Sequence, residues 1–428
     1  MKIVGLIAEY NPFHNGHLYH IEKAKEASGA DAAVVVMSGD YVQRGVPAIL
    51  PMRLRAEMAL KCGAAAVFEL PVCYATGSAE LFAVGAVSLL ESLGIVDCIC
   101  FGSECGSLTG LKKLADFLSD EPESYRKMLQ TFLKQGMSFP AARKAALSAC
   151  AETAEYAQLL DSPNNILGIE YLKALKKLHS PMTPCTIRRT GAGYHDAKLH
   201  TMYSSASAIR PLLANAAAVA ATESTHTSGD TDHDGIWDKL KQQIPDCCLE
   251  LLRTYHQVSY PVCEDDFSLL LKEKLLCSQP DNLRNYLDVS EELANRICAR
   301  SDEYIQFHQF CSLLKTRELT QTRISRALLH ILLGIKQEDV ENYSKHGYHF
   351  YAHLLGFRTD SPHIVSAAAK CARIPVITKL YQDSHLPGIG QQMLANDIYA
   401  ANLYNSVITD KYQTDFQNEY RQPVLKIE

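Results

Sequence analysis

The first hundred residues alternate between short apolar runs and longer stretches in which apolar residues recur every three or four positions. The short runs are rich in β-branched residues and do not alternate with polar ones, which is typical of strands buried on both faces. They predict strands at Lys2–Ala8, Asp31–Met37, Ala65–Leu70 and Val96–Phe101. The longer stretches predict helices at Gly16–Ser28, Met52–Cys62 and Ser78–Leu93. This order predicts an α/β fold with a parallel, doubly wound sheet, which binds ligands at the carboxyl ends of its strands.

Beyond residue 106 the periodicity is mainly helical. Residues 107–180 predict helices with a turn at 162–165, and Cys185–Arg189 predicts the last strand. Further along, Asp288 is predicted to cap a helix whose buried face includes Leu293 and Ile297.

The length of 428 residues is too great for one ordinary core, so two domains are expected. We place an α/β domain at 1–215 and a mainly helical domain at 216–428. Residues 219–235 are polar and of low complexity. They contain His226 and His233 among aspartates, but no apolar framework fixes these side chains. The segment therefore predicts a solvated, flexible insertion rather than a metal site.

Composition narrows the class of protein. A hydrophobic content of 47% and a charged content of 21% are typical of a soluble globular protein. No apolar run is long enough for a membrane span, and Glu9 interrupts the N-terminal apolar stretch, so neither a membrane anchor nor a signal peptide is expected. The net charge of −6 argues against general binding to nucleic acid, such as DNA, but allows a local basic face.

The 14 cysteines lie mostly within apolar segments, as Cys298 and Cys311 do. We interpret them as small buried hydrophobic residues in a reducing compartment, which indicates the cytoplasm. Neither C-I-C at 98–100 nor C-C at 247–248 has the C-x-x-C spacing of a zinc or redox site. We therefore expect no metal site built from cysteine.

The most informative motif, N-P-F-H-N-G-H at 11–17, joins the first predicted strand to the first helix. A helix that begins there presents free backbone N–H groups, which commonly bind phosphate. His14 and His17 share one face of the first turn and can donate hydrogen bonds to a phosphoryl oxygen, while Gly16 leaves room for a nucleotide. Alone, the pattern is more often two ordinary histidines, but its position favours a phosphate site. It resembles the signature of the nucleotidyltransferase superfamily, which includes adenylyltransferases and class I aminoacyl-tRNA synthetases.

Three further segments are expected at the same edge of the sheet. The loops S-G-D-Y-V-Q-R-G at 38–45 and F-G-S-E at 101–104 follow predicted strands. S-S-A-S-A-I-R at 204–210 is a serine-rich helix start, which alone is more often a simple N-cap. Beside the histidine motif it resembles the second superfamily signature, in which Ser205 and Arg210 would hold the triphosphate and Arg210 would neutralise pyrophosphate.

A helix predicted at Arg323–Leu333 combines an apolar face with a basic one. Its buried residues are expected to be Ile324, Leu328 and Ile331. Its basic stripe consists of Arg323, Arg326 and His330. The stripe either contacts RNA phosphates or is an ordinary solvated helix face. Three basic residues nearby slightly favour the interpretation that the stripe contacts RNA: Lys315, Arg317 and Lys336.

Four ordered segments carry a more specific resemblance: E-Y-N-P-F-H-N-G-H, S-G-D-Y-V-Q-R-G, P-N-N-I-L-G-I-E-Y and R-R-T-G-A-G-Y-H-D. Together they resemble the bacterial tRNA(Met) cytidine acetate ligase family across the whole chain, apart from the polar segment 219–235. The resemblance implies a Rossmann-like nucleotidyltransferase domain and an ATP-dependent ligase. It would make acetyl-adenylate and transfer acetate to the N4 amine of the wobble cytidine in elongator tRNA(Met), releasing AMP.

The resemblance also implies an ATP site. Its residues are Ile7, Ala8, Glu9, Tyr10, Asn11, Pro12, Phe13, His14, Asn15, Gly16, His17, Leu18, Tyr19, His20, Gly102, Asn165 and Arg189. Asn164 and Arg188 remain alternatives to their neighbours. Mg²⁺ is expected to accompany ATP, although the sequence shows no carboxylate cage for it. The residue that accepts the proton of the cytidine amine stays open among Asp40, Glu104 and His195.

Two other functions remain open at this stage. One is an adenylyltransferase for another small carboxylate or a phosphate substrate, which would cleave ATP without labelling RNA. The other is a catalytically silent tRNA-binding protein on the same scaffold, which would bind tRNA without releasing AMP.

Overall fold

The computed structural model describes residues 1–189, 205–223, 233–380 and 385–428. The strands are β1 (Ile3–Ala8), β2 (Ala32–Ser38), β3 (Tyr41–Val42), β4 (Val46–Pro47), β5 (Ala66–Leu70), β6 (Cys98–Ser103), β7 (Thr183–Arg188), β8 (Ala352–Arg358), β9 (Val376–Ile377) and β10 (Leu425–Ile427). The helices are α1 (Asn15–Ser28), α2 (Met52–Lys61), α3 (Val72–Ala75), α4 (Ala79–Ser92), α5 (Leu108–Asp120), α6 (Glu123–Lys134), α7 (Phe139–Ala149), α8 (Pro163–Lys177), α9 (Ala206–Glu223), α10 (His233–Lys241), α11 (Asp246–Tyr255), α12 (Ser268–Leu276), α13 (Pro280–Leu283), α14 (Glu291–Ala299), α15 (Phe307–Leu314), α16 (Gln321–Leu333), α17 (Gln337–Lys345), α18 (Pro362–Cys371) and α19 (Gly388–Tyr412).

Parallel strands in the order β5–β2–β1–β6–β7 form the centre of the sheet. Their apolar residues face both ways, since Val4 and Leu6 of β1 and the run Ala33–Met37 of β2 are all buried. The predicted parallel α/β sheet is therefore confirmed, with each predicted strand and helix of the first hundred residues displaced by two residues or fewer at either end. The strand order reverses between β1 and β6, and in doubly wound sheets ligands bind at this switch point.

The division of the chain at residue 216 needs correction. Cys185–Arg189 was predicted as the last strand, but β8 pairs antiparallel with β5, and β9 and β10 both pair with β8. Residues far beyond 216 therefore complete the sheet of the first part of the chain. The segment 219–235 also differs from the prediction, because α9 continues to Glu223 and α10 begins at His233. The intervening part, with His226, lies outside the described residues.

The predicted loop 38–45 contains a short hairpin of β3 and β4 that packs on α16. Gly45 closes the hairpin with a φ of +77°, and a Cβ at this position would lie 2.4 Å from the backbone nitrogen of Arg326. Ser325 Oγ donates to the Gly45 carbonyl at 2.8 Å. Glycine is therefore required both by the backbone conformation and by the close approach of α16.

The basic stripe on α16 is not a free surface, so both of its interpretations were wrong for Arg326 and His330. The Arg326 Nε donates to Asp288 Oδ2 at 2.7 Å, and the two side chains are only 12% and 18% exposed. His330 is fully buried, and its Nδ1 lies 3.0 Å from the carbonyl oxygen of Leu287. Asp288 therefore binds Arg326 instead of capping α14, which begins after Ser290.

The predicted burial of apolar residues in these helices is confirmed. The residues concerned are Leu293, Ile297, Ile324, Leu328 and Ile331. No helix within the described ranges combines the length and hydropathy needed to cross a membrane.

A buried polar seam joins the sheet to the C-terminal helix α19. His353 Nδ1 lies 2.6 Å from Glu69 Oε2, and Tyr351 donates to Asp397. Asp397 Oδ1 also accepts from the backbone N–H of Val72 at 2.7 Å. Burial raises the pKa of both carboxyl groups to about 8, so each is expected to hold a proton near neutral pH.

Glu69→Gln is expected to change how stability depends on pH. In the unfolded chain this carboxyl titrates near its ordinary value of about 4.3. The folded state therefore retains an extra proton up to about pH 8, and the free energy of unfolding falls as pH rises through that window. The uncharged glutamine should remove this fall, so its free energy of unfolding gains at most about 1.4 kcal/mol per pH unit relative to the unmodified protein.

Urea unfolding of both proteins between about pH 5 and pH 8 measures the difference. Replacement of the exposed Glu152 by glutamine provides a matched control with no expected change in slope. Identical slopes for Glu69→Gln and the unmodified protein would contradict the prediction.

Candidate functional site

A cavity opens at the switch point of the sheet, over the carboxyl ends of β1, β6 and β7 and the first turns of α1, α8 and α9. Its described lining residues are Ile7, Ala8, Glu9, Tyr10, Asn11, His14, Gly16, His17, Tyr19, His20, Gln43, Phe82, Phe101, Gly102, Asn164, Leu167, Tyr171, Ile187, Arg188, Arg189, Ser205, Ala206, Ser207 and Arg210. The histidine motif and the three further segments expected at this edge meet here, and the three segments contribute Gln43, Gly102 and Ser205 among others.

His14 and His17 are held by backbone N–H groups at the start of α1. His14 caps the helix, because its Nδ1 accepts a hydrogen bond from Gly16 N at 3.0 Å. His17 Nδ1 accepts from His14 N at 3.3 Å. Since a backbone N–H can only donate, each Nδ1 is unprotonated and each neutral ring carries its proton on Nε2. The rings stack with centroids 3.8 Å apart, so two Nε2–H donors lie side by side.

Both imidazoles are neutral in the folded protein. Burial, together with the nearby cations Arg189 and Arg210, lowers the pKa of His14 to about 3. Burial and the neighbouring His14 hold the pKa of His17 well below its ordinary value. The lowered pKa values keep both rings neutral at neutral pH. Each ring therefore already carries the Nε2 proton that it donates.

The guanidinium group of Arg55, fully buried, anchors the loop that carries the histidines. Its Nη1 donates to the carbonyl oxygens of Glu9 at 2.6 Å and Ser38 at 3.1 Å. Its Nε donates to Leu50 O at 3.0 Å, and its Nη2 donates to Gly39 O. One side chain therefore fixes the ends of β1 and β2 relative to α2.

Arg210 links the second superfamily signature to the first. Its Nη1 donates to Asn11 O at 2.9 Å, and its Nη2 donates to Ser207 Oγ at 3.2 Å. Asn11 is itself held, because its Oδ1 accepts from Ile49 N at 2.8 Å. The start of α9 and the histidine loop thus form one wall of the cavity.

The structure distinguishes the two neighbouring asparagines. Asn164 lines the cavity, and its Nδ2 donates to Glu104 Oε1 at 2.7 Å. Asn165 is buried behind it, and its Oδ1 accepts from the backbone N–H groups of Glu104 at 3.0 Å and Cys105 at 3.2 Å. Asn165 therefore holds the loop after β6, and Asn164 offers the amide to the cavity. Arg188 and Arg189, which the sequence left as alternatives, both line the cavity.

Several predicted site residues lie outside the cavity lining. They are Pro12, Phe13, Asn15, Leu18, Asn165, Asp40 and Glu104. Phe13 is buried, and its ring centroid lies 5.5 Å from that of His17, which it supports. Asp40 is also buried, and its Oδ1 accepts from Met52 N at 2.6 Å at the start of α2. Asp40 thus stabilises a helix start and does not face the cavity, which argues against its role as acceptor of the amine proton.

The segment 191–196 with His195, and Ser204, lie outside the described residues. Among the residues that line the cavity without having been expected, Leu167 and Tyr171 follow Asn164 at helical spacing on α8. The rings of Tyr171 and Phe101 are 5.6 Å apart and form an apolar wall. Leu167 and Tyr171 lie three and seven positions after Asn164, on the same face of the helix. This spacing is the sequence signal that could have identified them as lining residues.

Two buried polar atoms of the lining, Tyr10 Oη and His20 Nε2, form no hydrogen bond within the described parts of the chain. Buried polar atoms usually have a partner, so these two are suited to a bound molecule. Glu9 is the single carboxylate among the described lining residues, whereas Arg188, Arg189 and Arg210 surround the opening. The cavity therefore favours an anionic ligand with several acceptor oxygens.

The parallel sheet, the histidine pair at the first helix start and the arginine-lined cavity define a nucleotidyltransferase. A family profile described as HIGH Nucleotidyl Transferase matches residues 1–419. Two similar proteins are the tRNA(Met) cytidine acetate ligases of Acetivibrio thermocellus, 39% identical over 98% of this chain and 99% of the relative, and of Thermoanaerobacter sp. (strain X514), 40% identical over 95% and 97%.

Solved structures agree with this similarity. The apo crystal structure of Thermotoga maritima TmcAL superposes with a TM-score of 0.88 at 30% identity, covering 100% of both chains. A second crystal form of that protein, bound with alpha-thio ATP, gives a TM-score of 0.86 at the same identity and coverage. The chain belongs to the tRNA(Met) cytidine acetate ligase family of the HIGH nucleotidyltransferases.

Proposed function

We propose that the protein activates acetate with ATP and joins it to the N4 amine of the wobble cytidine of elongator tRNA(Met). The observation that carries the proposal is the cavity at the switch point, where two neutral imidazoles lie near three arginines. The name shared by the relatives supports acetate and tRNA(Met) as substrates. The alpha-thio ATP bound by the T. maritima protein supports ATP as the activating nucleotide.

In the first step, an acetate oxygen attacks the α-phosphorus of ATP. The bond between this phosphorus and the oxygen bridging to the β-phosphate breaks, and pyrophosphate leaves with the bonding electrons. Negative charge on the phosphoryl oxygens is stabilised by the Nε2–H groups of His14 and His17, which are fixed before ATP binds. Arg210 neutralises the departing pyrophosphate, and Arg188 and Arg189 hold the phosphates and the adenylate.

In the second step, the cytidine N4 attacks the acetyl carbonyl carbon. The new C–N bond replaces the C–O bond to the adenylate, AMP leaves, and N4 loses one proton. The amine is accessible only if the cytidine leaves its stack and enters the cavity. We place the tRNA on the helical part of the chain, but not on Arg326 and His330, which are engaged within the fold.

The lining fits Mg²⁺ only as an ion carried by the nucleotide. Glu9 is the sole carboxylate among the described lining residues, and its Oε1 already accepts from Gln43 N at 2.9 Å. Phosphate oxygens and water would supply the other ligands, as is usual for Mg²⁺. Because the proposed substrate is a tRNA, we also propose that the protein acts in the cytoplasm.

Incubation of the purified protein with ATP, labelled acetate and bulk tRNA tests the proposal. The expected result is label confined to elongator tRNA(Met), recovered as N4-acetylcytidine after nuclease digestion. A transcript of this tRNA with uridine in place of the wobble cytidine serves as control and should remain unlabelled. AMP production without label would indicate another carboxylic acid, and the absence of both would indicate a catalytically silent tRNA-binding protein.

A further inference from the structure

Cys62 meets the adjacent pair Cys247 and Cys248 between α2 and α11, outside the residues that line the nucleotide cavity. Cys62 Sγ lies 3.5 Å from Cys248 Sγ and 3.8 Å from Cys247 Sγ. All three sulfur atoms lie within 4.8 Å of one another. The spacing rules used on the sequence missed this group, because Cys62 lies 185 residues before Cys247. We call it the thiol cluster.

Two of the three sulfur separations match those around a tetrahedral metal ion, and the third is at most 4.8 Å. A Zn–S bond of about 2.3 Å places two thiolates of a tetrahedral site about 3.8 Å apart. A disulfide would instead require two of the sulfur atoms to approach to about 2.0 Å. The cluster therefore already has the dimensions of a thiolate–metal site, and it is far from those of a disulfide.

The end of α2 and the start of α11 hold the three sulfur atoms, and burial raises the pKa of the Cys247 thiol. Cys247 and Cys248 lie in the first turn of α11, where free N–H groups and the helix dipole stabilise thiolates. Cys62 ends α2 and is buried, as is Cys248. Cys247 is only partly buried, so an ion can reach the cluster from solvent.

We propose that Cys62, Cys247 and Cys248 bind one Zn²⁺ ion, with water as the fourth ligand. Zinc prefers thiolate ligands in tetrahedral geometry, and within the described ranges the group has three members. Binding replaces the thiol protons, which pass to solvent. Other cysteines lack this arrangement: Cys311, for example, is buried outside any such group of described residues.

The bound ion would fasten α11 to α2 close to the start of α1. The residues preceding α11 contact that helix, because Asn15 N donates to Gln243 O at 2.9 Å and Asn15 Nδ2 donates to Gln242 O at 3.0 Å. The zinc site is therefore structural, and it stabilises the packing beside the histidine motif without taking part in the reaction. This inference does not depend on the proposed substrates.

Titration of the metal-free, full-length protein with Co²⁺ and then Zn²⁺ tests the site. We expect one Co²⁺ per chain with the near-ultraviolet absorption of thiolate ligation, which one equivalent of Zn²⁺ removes. Cys62→Ser and Cys248→Ser should abolish the absorption, whereas Cys311→Ser should retain it. Absence of this absorption in the unmodified protein, or its persistence in both cluster variants, would overturn the proposal.

Alkylation of the unmodified chain provides a measurement that needs no variant to fold. Zn²⁺ should slow the reaction of Cys247 with iodoacetamide at least about tenfold, because metal ligation consumes the thiolate nucleophile. The exposed Cys263, Cys277 and Cys371 serve as internal controls and should react at unchanged rates. Equal slowing at all four positions, or no slowing at Cys247, would contradict a site at the thiol cluster.

Discussion

His17→Ala is expected to lower the rate of acetyl-adenylate formation by about 100- to 1000-fold, with the fold unchanged. The variant loses one of the two adjacent Nε2–H donors, and loss of a single fixed donor to a developing oxyanion costs rates of this order. Acetate-dependent exchange of labelled pyrophosphate into ATP measures this step in the absence of tRNA. Unchanged exchange would remove His17 from the chemistry.

Matched variants separate the roles of the ring nitrogens. The amide nitrogen of glutamine can occupy the place of Nε2, so His17→Gln should retain more exchange activity than His17→Asn. At the neighbouring position, His14→Asn retains a side-chain acceptor for Gly16 N, since asparagine is a favoured cap. It should therefore fold normally but lose exchange activity, whereas a loss of stability equal to that of His14→Ala would show that the cap is not preserved.

Arg55→Met is expected to destabilise the folded protein by roughly 3–5 kcal/mol. Methionine fills similar volume but leaves the carbonyl oxygens of Glu9, Ser38, Gly39 and Leu50 buried without their donor. Urea unfolding at neutral pH measures the change.

Arg373→Met is the control for the arginine substitution. The Arg373 side chain is 63% exposed and pairs with Glu91, so its replacement should cost no more than about 1 kcal/mol. Arg55→Lys should recover only part of the stability, because a single ammonium cannot bridge β1, β2 and α2. A loss of stability in Arg55→Met no larger than in the control would contradict the anchoring role.

The parallel sheet and the histidine pair were predictable because the signals are local. Buried strands such as β2 are continuous apolar runs, and a helix start after a strand is read from a few consecutive residues. The neutral state of His14 was not predictable, because it depends on burial and on arginines about 175 or more positions away along the chain.

Features built from distant residues were also missed. The stripe on α16 has the spacing of an exposed basic face, but Asp288 supplies a partner for Arg326 that helical periodicity cannot reveal. The cysteine spacing rule could not reveal the thiol cluster for the same reason, since Cys62 belongs to another helix. The sequence left open the choice between Asn164 and Asn165, because periodicity alone does not decide which of two adjacent residues at a helix start faces the cavity.

The antiparallel pairing of β8 with β5 has a consequence for biosynthesis. While the ribosome is making the intervening helices, the outer edge of β5 has no strand to pair with, although every strand of the parallel core has already emerged. An exposed edge of this kind can recruit other chains. Nascent chains arrested before Ala352 should therefore aggregate more readily than the full-length protein. Residues 1–215 expressed alone should have the same unpaired edge and aggregate in the same way.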